Sequence, residues 1–133
     1  MQALSAAQLA YLAGEYSQMA STMQAYQNAC ASDAAFDPAS TQEQIERLIA
    51  ISQSLSNQAI ATLFDDSDQM YRNLATITQN ANKMAASLLQ EAGQMSRIAG
   101  IAGSMINLAA ALSSGNPGDV VSSVVACAKA VHS

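Results

Sequence analysis

Ten carboxylates, five lysine or arginine side chains, two cysteines and one histidine are spread over the 133 residues, and their spacing assembles no recognisable site. His132 stands one residue from the C-terminus, where a chain end frays and cannot hold a general base in place. Asp65, Asp66 and Asp68 have the spacing that opens a calcium loop, but the glycine and terminal glutamate that such a loop requires do not follow. They read as a solvated helix start, with Asp68 four residues before Arg72 as a helix-surface pair. No nucleophile sits beside a base, and no metal-ligand or nucleotide-loop pattern occurs. Catalytic residues, metals and cofactors are therefore expected to be absent.

The remaining candidates are less specific. Cys30 and Cys127 each close an apolar stripe near a helix C-terminus, so they read either as two buried thiols or as a disulfide tying the first helix to the last. Glu91 is the one ionisable residue on the longest apolar seam. It stands either at an exposed end of the packing or as a polar residue that fixes register. Met19, Met23, Met70, Met84, Met95 and Met105 all fall on seams, where thioethers fill a core or tolerate exchangeable partners.

The elements carrying these residues are helices. Leu9, Leu12, Tyr16, Met19, Met23, Tyr26 and Cys30 follow one another in steps of three and four, a heptad seam that predicts a helix over about residues 5–31, with Ser5 as N-cap. Asp37 before Pro38, with Ser40 and Glu43 just inside, predicts a second start. Its stripe is Ile45, Leu48, Ile49, Leu55, Ile60 and Leu63, with a slip of register after Leu55, giving a helix over about 38–64. Glu43 precedes Arg47 by four and supports the exposed side. Asp65 to Asp68 permit either a break or continuation.

From Met70 the seam runs through Leu74, Ile77, Ala81, Met84, Leu88, Glu91, Met95, Ile98, Ala102, Met105, Ala109 and Leu112 without a slip. A helix over 67–112 would be about 69 Å long, at about 1.5 Å per residue. Gly93, Gly100 and Gly103 each weaken it by up to about 1 kcal/mol relative to alanine, which favours a bend. Ser113 to Gly118 is a turn. Asp119 then opens a last helix over about 119–132, whose Val120, Val121, Val124, Val125, Ala128 and Val131 form a broad apolar face. The predicted fold class is all-α: a single domain over 1–133 with three to four long amphipathic helices, coiled-coil-like seams and a short apolar C-terminal hairpin.

Composition bounds the function. Half the residues are apolar, 11% are charged, tryptophan is absent and the net charge is −5. Nothing in that balance attracts a phosphate backbone, so nucleic acid is not an expected partner. The charged fraction is well below the roughly 25% of an average domain, so surfaces are expected to be covered by Ser, Gln, Asn and Thr or buried in an assembly. Arg47 is the first basic residue, so the start of the chain lacks the positive region of a Sec signal. A cytoplasmic location and export by a specialised route both remain open. The uncharged stretch Ile98 to Leu112 is shorter than the roughly 20 residues that cross a bilayer. Membrane contact is thus less expected than core burial.

In composition and architecture the chain resembles subunits of bacterial secretion filaments, translocators and their helical partners, although no motif ties it to one such family. The expected function is that of a non-enzymatic structural or interaction protein, packing its seams in a homo-oligomer or onto another helical protein. The expected interface is Met84, Leu88, Glu91, Met95, Ile98, Gly103 and Met105. A monomeric helical inhibitor, immunity protein or adaptor is the alternative, and a membrane-active helical protein the second.

Overall fold

The computed structural model describes residues 1–33 and 36–132, the side chain of Ala92 excepted. Residues 34 and 35, in the connection after the first helix, lie outside them. The described residues form five α-helices: α1 Ala6–Ala29, α2 Pro38–Ser56, α3 Ser67–Leu88, α4 Ser96–Ser113 and α5 Pro117–His132, with a 3-10 turn at Ala92–Gln94.

Local chemistry sets most of the helix ends. Ser5 accepts from the Gln8 amide while the Gln8 side chain accepts from the Ser5 amide, a complete capping box. Asp37 accepts from the Ser40 amide ahead of Pro38, and Asp66 accepts from the Gln69 amide. A new helix therefore starts at the acidic cluster, as one of the two readings of Asp65 to Asp68 required. The last helix begins earlier than expected. Asn116, rather than Asp119, places its side-chain oxygen on the Gly118 amide, and Pro117 takes the first helical position.

Two predicted helices are corrected. The one over 38–64 stops at Ser56, because Gln58 turns left-handed at φ 59°. The Gln58 and Ala59 amides then reach back to the carbonyls of Leu55 and Ser54, a Schellman stop. Ile60 and Leu63 belong to the extended link that follows, in which Phe64 pairs with Gln2 through two main-chain hydrogen bonds. The helix over 67–112 is two helices, divided at Glu91 and the 3-10 turn. Five helices therefore replace the expected three to four.

The seam nevertheless holds on both sides of the division. Leu74, Ile77, Ala81 and Leu88 on α3, and Ile98, Ala102, Met105, Ala109 and Leu112 on α4, are all buried. Periodicity reports which side of a helix faces the core, and both halves face the same core from opposite directions.

That core is built on α1, which packs against α2, α3 and α4. Ser52 donates to the carbonyl of Ala13, and Gln27 to that of Pro38, so α1 and α2 are antiparallel. Gln8 donates to Asp68 and Asn82 to Glu15, so α3 runs in the same sense as α1. Tyr16 donates to Met105 of α4, while Ser104 of α4 stands 3.3 Å from Cys127 of α5. Leu12, Tyr16, Met19 and Met23 are at most 1% exposed and fill the centre.

Candidate interaction surface

Of the residues expected to form an interface, Leu88, Ile98 and Met105 are buried within the chain's own core, and Met84 and Met95 are half-buried against it. Glu91 is exposed in the corner between α3 and α4. Gly103 faces α2 of the same chain, where a Cβ added to it would stand 3.7 Å from Nε2 of Gln44. The seam is thus taken up in folding, and the structure does not gather these seven residues on one surface.

The cysteines are also placed apart. Both are free thiols, which corrects the disulfide reading. Cys127 lies close enough to Tyr16 to act on it electrostatically. Cys30 follows the end of α1, fourteen residues further on, or about 21 Å along the helix. Burial raises the Cys127 thiol above its ordinary value, and the hydrogen bond with Ser104 draws it partly back.

Tyr16 is fully buried, and that burial, with Cys127 beside it, holds its phenol well above the ordinary tyrosine value. Thr62, also fully buried, receives the Gly115 amide at 2.9 Å and donates to the carbonyl of Ala111, sealing the end of α4. Asn82 donates to the carbonyl and the carboxylate of Glu15, at 2.9 and 2.6 Å. Its own Oδ1 is buried without a protein partner. These hydroxyl and amide groups join helices to one another, and sequence periodicity gave no sign of them, since Thr62 lies in a link and Asn82 beside the seam. The expected Asp68–Arg72 pair is not formed: Arg72 donates to Gln69, and Asp68 receives Gln8.

What the bundle leaves open lies between α2 and α4. These two helices run in the same sense, with Gln44 donating to the carbonyl of Ala99 at one end of their contact. Further along they diverge around a cleft of about 290 Å³, walled by Ala50, Ile51 and Leu55 of α2, by Ile106, Ala109 and Ala110 of α4, and by Ile60. Arg47 stands at its mouth and also lines the adjoining cleft with Gln44, Gly103 and Asn107. Its charge is met by Glu43 at 3.1 Å, the ion pair expected from their spacing, with both side chains more than half exposed. With Ser54 and Ser113 also lining it, the cleft wall is mainly apolar, and the charge of Arg47 is neutralised.

On the other flank of α4, helix α5 carries Val121 and Val125, which are 51% and 49% exposed and one helical turn apart. Ala50 and Ala110 in the cleft wall are exposed as well. The sequence signal nearest this cleft is the register slip after Leu55, where α2 ends and the link carrying Ile60 begins. No helix of the described residues is long and apolar enough to cross a membrane. No family model, curated protein or solved structure matches the chain.

Proposed function

We propose that this chain is a non-enzymatic helical interaction protein, folded as a single bundle domain, whose α2–α4 cleft receives the Val121 and Val125 ridge of a second copy. In this reading the coiled-coil-like seams serve the chain's own core, and α4 with α5 forms the apolar hairpin that presents the ridge. The observation that carries it is the open cleft of about 290 Å³ with a mainly apolar wall, left uncovered by a fold that buries the seams of α1, α3 and α4.

A second copy is the favoured occupant because one contact covers the cleft together with Val121 and Val125, two of the exposed large apolar side chains. The cleft and the ridge lie on different flanks of α4, and two valines one turn apart match the turn-by-turn repeat of Ile51 with Leu55 and Ile106 with Ala110. Such a contact joins unlike surfaces, so it adds copies head to tail until a ring closes or a filament grows. That mode accords with the compositional resemblance to filament subunits.

Light scattering between about 1 and 100 µM tests the reading. The mass is expected to rise above the 13.8 kDa of one chain as concentration increases. A constant single-chain mass over that range would overturn self-association. It would favour the monomeric adaptor or inhibitor, which the burial of Leu88, Ile98 and Met105 within one chain also suits.

A further inference from the structure

We infer that the corner between α3 and α4 is a hinge, at which the two helices fuse into one continuous helix over residues 67–113 when α1 releases them. The corner carries few of the local features that end a helix. Leu89 and Met95 keep helical angles, at φ −60° and ψ −25° and at φ −60° and ψ −29°. Glu91, at φ −120° and ψ 91°, leaves the helical region, and residues 92–94 form a 3-10 turn. No proline interrupts residues 89–95, and neither the 3-10 turn nor α4 is capped by a side chain. Gly93 does not adopt positive φ, and a Cβ built on it would meet nothing within 4 Å. The corner thus has no need of the glycine it contains.

The sequence on either side is already in register for fusion. Met84, Leu88, Glu91, Met95 and Ile98 keep the steps of three and four through the corner, and leucine, glutamate, glutamine and methionine are good helix formers. Tertiary contacts are what hold it bent. Asn82 bonds to Glu15 and Tyr16 bonds to Met105, so two neighbouring residues of α1 clamp α3 and α4 side by side. In a fused helix Asn82 and Met105 would stand 23 residues apart, or about 35 Å, and both bonds could not be kept. Fusion would align Leu74, Ile77, Leu88 and Ile98 on one uncovered stripe, a surface suited to another helix. The observations behind this hinge are separate from those behind the α2–α4 cleft, one wall of which α4 supplies.

Pulsed electron spin resonance tests it on the full chain. Nitroxides are placed at Gln79→Cys and Asn107→Cys in a Cys30→Ser background, and diluted with unlabelled protein so that distances within one chain are read. The bent form places the labels under about 25 Å apart across adjacent helices, and the fused form about 42 Å apart along one helix. The expected result is a main short distance with a minor population near 42 Å. That population grows about fivefold in Gly93→Ala, as the difference in helix propensity requires, and disappears in Gly93→Pro. A short distance alone in all three proteins, or a long one that ignores both substitutions, would overturn the hinge.

Discussion

The phenol of Tyr16 donates to the main-chain carbonyl of Met105 at 2.5 Å, tying the centre of α1 to the centre of α4 inside the core. Met105 lies within a helical ladder, so the phenol occupies the second lone pair of a carbonyl in the middle of α4. Tyr16→Phe keeps the ring and removes this bond. A loss of about 0.5 to 1.5 kcal/mol is expected, read as a fall of roughly 2 to 6 °C in Tm.

The same residue makes stability depend on alkaline pH. The folded Tyr16 phenol titrates well above its unfolded value of 10.0 because it is buried, with Cys127 adding to the shift. Above pH 10 the unfolded chain therefore releases a proton that the folded chain keeps. Its contribution is complete below pH 10 and falls by up to about 1.4 kcal/mol per pH unit above it. Cys127, raised from 9.0 by burial, starts a similar decline about one unit lower. Urea unfolding between pH 8 and 11 should show a shallower decline for Tyr16→Phe than for wild type, and equal slopes would contradict the assignment.

Thr62→Val replaces a hydroxyl that pairs with Gly115 and Ala111 by a methyl group of nearly the same size. The Gly115 amide is then left without its acceptor, at a cost of about 1 to 3 kcal/mol. Chemical denaturation gives the value, and a neutral substitution would mean that Thr62 does not seal the end of α4.

Much of this arrangement was legible in the sequence, for reasons specific to each element. The α1 seam from Leu9 to Tyr26 is buried along its whole length, because one helix packed on three sides displays its period without interruption. On α2 the stripe was right for Ile45, Leu48 and Leu55 and wrong for Ile49, which is 46% exposed. Periodicity alone could not tell that the register slip marks a helix end and a cleft. The α3–α4 corner was legible only in part: Gly93 favoured a bend, but the apolar register passes through Glu91 unchanged and gave no sign that the helix divides there. Thr62, Asn82 and the pairing of Gln2 with Phe64 depend on partners far away in sequence, which no local pattern encodes. Leu88, Ile98 and Met105 of the expected interface are taken up in the chain's own core, because a seam looks the same whether its partner is another chain or another part of its own.

Gln58 gives a stabilising prediction. It takes the left-handed position of the Schellman stop after α2, at φ 59°, where glycine is free of the clash that a Cβ brings. Gln58→Gly should gain about 0.5 to 1 kcal/mol after the added freedom of the unfolded chain is offset. A lowered Tm would show that the Gln58 side chain contributes more than the backbone costs.

Thiol reactivity separates the two cysteines. Cys30 is half-buried and Cys127 buried, so Ellman's reagent should titrate one thiol promptly in the native protein and the second only on unfolding. Mild oxidation should leave the chain without an internal disulfide. Two equally fast thiols would mean that the α4–α5 packing around Cys127 is open.

The most direct test of the central claim is a complementation of masses. Ala110→Glu puts a charge in the cleft wall, and Val125→Glu puts one on the ridge; both positions are exposed, so neither disturbs the core. If cleft and ridge of different copies meet head to tail, each variant alone should scatter as a single chain of 13.8 kDa. An equimolar mixture should pair the intact ridge of one with the intact cleft of the other and stop at twice that mass. A mixture that stays at the single-chain mass, or variants that assemble as the wild type does, would contradict the account.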